Sequence, residues 1–167
     1  ILLLGMLAFT SIWSVGEIVE ENFGETATFV VVGTLFGALI GLGASGGTAL
    51  LLRRKGISTA RWIAYSVISG ALGGMIGFGV ALGLLDAETL PEVFSGLVVG
   101  VSLGLPIGIG QWLLLRQQSD GANAWPIIST LALVLALMIG MPLGGEGREW
   151  LSLGTIGLAA GAISGLG

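Results

Sequence analysis

Long apolar runs separated by short polar stretches dominate this chain. The runs cover roughly 1–19, 27–52, 62–85, 91–115, 125–143 and 151–167. A helix crossing a hydrocarbon layer about 30 Å thick, at about 1.5 Å per residue, needs about 20 mostly apolar residues. Five runs meet or approach that length and the sixth is shorter. They are apolar on every side, whereas the strands of a membrane barrel would alternate polar and apolar positions. The pattern therefore predicts an all-α, polytopic transmembrane bundle of about six spans, forming a single domain over 1–167.

Composition agrees with that picture and narrows the chemistry. Of 167 residues, 54 % are hydrophobic and only 10 % charged, against about a quarter charged in soluble domains. There is no His and no Cys. That excludes a Ser-His-Asp triad, a thiol nucleophile and a His/Cys metal site. The 31 glycines follow no collagen period, and glycine within long apolar runs points to closely packed membrane helices.

The few charges sort by sign between the runs. Arg53, Arg54, Lys55, Arg61, Arg116 and Asp120 sum to +4. Glu17, Glu20, Glu21, Glu25, Asp86, Glu88, Glu92, Glu146, Arg148 and Glu149 sum to −8. The two sets alternate along the chain, as the loops of a multi-pass membrane protein do, and the positive-inside rule then gives the orientation. Loops 53–61 and 116–124 are expected in the cytoplasm, and 17–26, 86–92 and 144–150 on the opposite side. The acidic loops read as solvated surface.

A shift of 63 positions aligns the chain with itself without gaps. Gly33, Gly37 and Gly41 fall on Gly96, Gly100 and Gly104, Leu50-Leu51-Leu52-Arg53 on Leu113-Leu114-Leu115-Arg116, Trp62 on Trp125, and Ser66 on Ser129. The predicted unit is a helical hairpin, with full copies at about 27–85 and 91–143 and partial ones at 1–19 and 151–167. Gly157, Gly161 and Gly165 resemble the start of a third copy. Two spans per unit keep every copy in the same orientation, unlike the inverted repeats of many transporters.

Glycines four apart share one helix face, so each triple forms a flat groove that another backbone can approach closely. Helix packing is the expected use of all nine glycines, and a bound lipid or pigment is the alternative. Trp62, Trp112 and Trp125, with Arg53 and Arg116, stand near span ends and are expected to anchor them at the membrane interface. Gln111 is the polar residue inside a span that stands out. An interhelical hydrogen bond is its expected role, the alternative being that its amide oxygen ligates the magnesium of a tetrapyrrole. No charged residue lies near the middle of a run, which argues against a proton relay or ion pump.

The segment GQWLLLRQQSDGANAWPIIS resembles the QWLxLR-repeat multi-spanning membrane proteins of cyanobacteria and Chloroflexi-type bacteria. Gln111, Trp112, Leu113, Leu115, Arg116 and Trp125 carry the likeness. The earlier copy keeps Leu50, Leu52, Arg53 and Trp62 but has Thr48-Ala49 in place of Gln-Trp. The resemblance implies a repeat-hairpin membrane fold over about 30–167 and no established activity. Its taxonomic range suggests a photosynthetic or respiratory complex as host.

The expected function is a non-enzymatic membrane scaffold or accessory subunit. Its partners would be the bilayer and other membrane subunits, with no nucleic acid, no metal and no required cofactor. The alternative is a small-solute transporter or channel lined by residues such as Ser45, Thr48 and Gln111. Glu146, Arg148 and Glu149 form the one dense polar cluster, which reads as a solvated turn.

Overall fold

The computed structural model describes residues 2–53, 58–82, 91–117 and 120–143. These residues are helical almost throughout, and no strand occurs among them. Helix α1 spans Leu2–Phe23 and α2 spans Glu25–Arg53. Helix α3 spans Thr59–Gly74 and runs on as a π-helical segment, Met75–Leu82. Helix α4 spans Glu92–Leu115, and a 3₁₀ turn at Asp120–Ala124 leads into α5, Trp125–Leu143.

Four helical stretches among the described residues are long and apolar enough to cross a membrane. They are Glu25–Ser45, Thr59–Gly79, Val93–Leu115 and Gly121–Ile139. The protein is therefore an all-helical chain with four candidate membrane spans. The expected sixth run, 151–167, the expected loop 144–150 and residues 86–90 of the expected loop 86–92 lie outside the described residues.

The acidic stretch expected as a loop at 17–26 is instead helical except at one residue. Helix α1 continues through Glu17, Glu20 and Glu21, and only Gly24 separates it from α2. Gly24 takes a positive φ of 85°, a conformation that costs glycine little because it has no Cβ. Its N–H still bonds the Glu20 carbonyl at 3.0 Å, and its own carbonyl accepts the Thr28 N–H at 3.2 Å. One residue thus closes α1 and opens α2, and Glu25 places a carboxylate at the positive end of the new helix.

The glycine faces set the packing. A Cβ on Gly33 would stand 2.5 Å from both the Gly74 carbonyl oxygen and Phe78 Cβ. Gly37 is pressed in the same way against the Gly70 carbonyl, and Gly41 against that of Ser66. Helices α2 and α3 are therefore antiparallel and in backbone contact. In the second hairpin, Gly96 faces Leu137, Gly100 faces Val134 and Gly104 faces Thr130, where an added Cβ would come within 2.9, 2.6 and 2.7 Å of the backbone. Without a hydrophobic drive between helices in lipid, such close approach gains dispersion contacts instead.

Helices α3 and α4 join the two hairpins. Pro106 inside α4 has no N–H to offer the Ser102 carbonyl one turn earlier. That carbonyl lies against α3 at Gly73, where a Cβ would be 2.5 Å from the oxygen. Gly77, in the π-helical segment, meets the Ser102 side chain and Val99. The apolar core comprises Ile40, Val99, Leu103, Ile107, Leu133 and Leu137, with Phe36 and Phe78 packed edge to face at 5.3 Å.

The antiparallel order collects charge by sign. Arg53 ends α2, Arg61 lies in the first turn of α3 and Arg116 follows α4, all at one end of the bundle. Glu17, Glu20, Glu21, Glu25 and Glu92 are at the other end.

Candidate functional site

The most distinctive polar constellation among the described residues lies near the arginine end, where α3, α4 and α5 meet. Gln111 sits in the last turns of α4 and is only 3 % exposed. Its Oε1 accepts the indole N–H of Trp125 at 2.8 Å, and its Nε2 donates to Ser66 Oγ at 3.0 Å. An indole nitrogen can only donate, which fixes the amide with its oxygen toward Trp125 and its nitrogen toward Ser66. One side chain on α4 thus bonds α3 on one flank and α5 on the other.

The local sequence explains the arrangement. Trp62 and Ser66 are four apart on α3, and Trp125 and Ser129 are four apart on α5, so each pair lies on one helix face. Trp62 packs against Trp125 with ring centroids 6.5 Å apart and planes at 61°, an edge-to-face geometry that favours the ring quadrupoles. Ile63, Leu114 and Leu115 complete the cluster. Ser129 is buried and donates to the Pro126 carbonyl at 3.2 Å. Gly110 stands against Ser69 and Tyr65 of α3 and so lets α4 approach here.

The interfacial anchors are redistributed. Trp62 is fully buried, so it is a core residue and not the lipid-facing anchor expected from its place at a span end. The apolar indole fills the wedge between α3, α4 and α5 where those helices would otherwise leave a void. Trp125 turns its N–H inward. Trp112 is half-buried, donates to Asn123 Oδ1 at 3.2 Å, and carries the exposed Arg116 guanidinium 4.9 Å over its ring. That pair does stand at the end of α4, in a cation–π contact. Arg53 is the final residue of α2.

Gly33, Gly37, Gly41, Gly96, Gly100 and Gly104 are all buried against the facing helix of their own hairpin. Gly157, Gly161 and Gly165 lie outside the described residues. The backbone of the partner helix fills the grooves that the six described glycines form.

Chemically, the Gln111 cluster is a hydrogen-bond junction. None of its members titrates near neutral pH, and no buried side-chain nitrogen or oxygen among the described residues lacks a partner. The Gln111 Oε1 already gives one of its two lone pairs to the Trp125 N–H, so a metal there would have to take the other. No group of three or more His, Cys, Asp or Glu able to hold a metal ion occurs among the described residues. Ser66, Ser129 and Asn123 were not singled out by sequence reasoning as partners. The identity of Ser66 and Ser129 in the 63-residue self-alignment, each one turn after a Trp, is the signal that could have found two of them.

Comparison with known protein families, with curated proteins and with solved structures finds no match for this chain.

Proposed function

We propose that this chain is an integral membrane scaffold or accessory subunit that packs through glycine-faced helices within a larger membrane assembly. The observation that carries this reading is how its buried polar groups are used. Gln111, Ser66 and Trp125 spend their hydrogen bonds on one another, across three helices, inside a closed apolar setting. A catalytic site would direct such groups toward a substrate space, and a solute path would leave them facing water. Ser45 and Gln111, two residues named for a channel lining, are buried and hydrogen-bonded.

In this reading the two hairpins are copies of one unit. Gly33 opposite Gly74 and Gly96 opposite Leu137 are the same pairing with both members displaced by 63 residues. This supports the self-alignment and, with it, the likeness to QWLxLR-repeat proteins. Six spans, a bacterial inner or internal membrane, and a photosynthetic or respiratory host belong to the same proposal, with the arginine end toward the cytoplasm.

Purification from native membranes with native gel electrophoresis tests the reading. The expected result is co-migration with other membrane proteins well above the chain's own 16.9 kDa. A monodisperse chain with no co-purifying protein would overturn it.

A further inference from the structure

Helices α3 and α4 each present one outward stripe beside the seam between them. On α3 it is Arg61, Tyr65, Ile68 and Leu72, spaced 4, 3 and 4 apart and all exposed. On α4 it is Leu105, Ile109, Trp112 and Arg116, spaced 4, 3 and 4 apart, exposed except for the half-buried Trp112. Such spacing keeps residues on one helix face. The two stripes flank one groove. Gly110 lies against the Tyr65 carbonyl, where an added Cβ would be 3.2 Å away, so Tyr65 and Ile109 border the contact. The other flank of this seam is the apolar core, where Leu103 and Ile107 are buried. The exposed residues therefore share the open flank.

Both arginines stand at one depth. Gln111 bonds Ser66 across the seam. The helices are antiparallel, so five residues from each partner lead to Arg116 on α4 and Arg61 on α3. Each is about 7.5 Å nearer the arginine end. From that end inward, each stripe reads as a guanidinium, an amphipathic aromatic ring and two aliphatic side chains. Thr59–Gly79 and Val93–Leu115 are candidate spans. The guanidinium groups then fall at headgroup level and the aliphatic positions along acyl chains.

Neither Arg61 nor Arg116 forms an ion pair among the described residues. Glu17, Glu20, Glu21, Glu25 and Glu92 are at the other end, and Asp120 is the one described acidic residue at this end. Arg116 is also held in place. Its guanidinium lies 4.9 Å over the Trp112 ring, and the Trp112 N–H to Asn123 Oδ1, at 3.2 Å, fixes that ring. A guanidinium stacked on an aromatic face keeps its N–H edge free, and that planar fork matches phosphate oxygens.

We propose that the outer α3/α4 groove binds one anionic phospholipid. Its phosphate lies between Arg61 and Arg116, and its acyl chains run along Ile68, Leu72, Leu105 and Ile109. Two unpaired cations at one depth select an anion, and the aliphatic stripes behind them select an anion that carries its own hydrocarbon. The inference needs only that α3 and α4 cross a membrane. It stands whether or not the chain belongs to a larger assembly.

The test is native mass spectrometry of the full chain titrated with phosphatidylglycerol. Phosphatidylcholine of the same chain length is the control for charge, and inorganic phosphate the control for the tails. One phosphatidylglycerol should be retained at concentrations where phosphatidylcholine is not, and a large excess of inorganic phosphate should not displace it. Arg61→Gln and Arg116→Gln should each weaken retention about fivefold, and the double variant about 25-fold, the scale for basic residues at an anionic lipid surface. Arg53→Gln removes the same charge from the end of α2 and should leave retention within about twofold. Equal retention of the two lipids overturns the proposal, as does unchanged retention in both single variants. An equal loss in Arg53→Gln would mean that net charge, not the groove, holds the lipid. Displacement by inorganic phosphate would leave an anion site without a lipid.

Discussion

The two hairpins solve the same packing problem with different surfaces. In α2/α3, glycine meets glycine: Gly33 with Gly74 and Gly37 with Gly70. In α4/α5, the glycines of one helix lie against the backbone of Leu137, Val134 and Thr130, residues that carry side chains of their own. The first arrangement brings two glycine backbones together, with Phe78 Cβ beside Gly33. The second also brings backbones together, with Val134 Cγ2 and Leu133 Cβ reaching the Cβ positions of Gly100 and Gly104 at 3.0 and 3.4 Å. The reason lies in position. Helix α3 is held between α2 and α4, and its glycines serve both neighbours: Gly70 and Gly74 toward α2, Gly73 and Gly77 toward α4. Helix α5 packs against α4 among the described elements, so it can afford bulk on that face, and Leu133 and Leu137 enter the core. Gln111 on α4 ties α3 and α5 into one frame.

Substitutions can break this contrast in a graded order. Gly37→Val should be the most damaging, because its side chain would enter backbone atoms of Gly70 that have nowhere to go. A loss of about 3 kcal/mol or more is expected, read as unfolding at lower denaturant in bicelles. Leu137→Ala should follow, at about 2–3 kcal/mol, by leaving a cavity in the apolar core where its side chain is buried. If it matches Gly37→Val in cost, the backbone seam of the first hairpin is not the tighter constraint and the contrast is wrong. Gln111→Leu should cost about 1–2 kcal/mol, since it leaves the Trp125 N–H and Ser66 Oγ without their partner in an apolar setting. A double-mutant cycle with Ser66→Ala should show coupling, and strictly additive losses would mean that the bond joins nothing. The smallest effect is expected for Asn123→Ala in the exposed 3₁₀ turn before α5, within about 0.5 kcal/mol. Trp112 fluorescence should nevertheless change as its indole N–H is released to solvent.

Much of this architecture was legible in the sequence, and the reasons differ by feature. Membrane helices are sustained by apolarity over their whole length, so the runs at 27–52, 91–115 and 125–143 fall within two residues of α2, α4 and α5. Glycines four apart had to share a face, whatever lay opposite. The acidic stretch at 17–26 misled because charge usually marks a loop, whereas glutamates continue a helix well and a single Gly24 made the turn. The π-helical segment after Gly74 has no periodic signature and went unseen. Trp62 was assigned to the interface by its place near a span end, but depth along a helix says nothing about which way the ring turns. Gln111 stood out as polar within a span. Its partners could not be named, since Ser66 and Trp125 lie on different helices and meet it only after packing.

The close approach along these glycine faces also bears on the membrane around the protein. Helices in backbone contact enclose less cross-section than helices held apart by leucines, so the bundle displaces few lipids and presents a short perimeter for its number of crossings. Where membrane is crowded with large complexes, a narrow body of this kind can occupy the gap between two neighbours without forcing them apart.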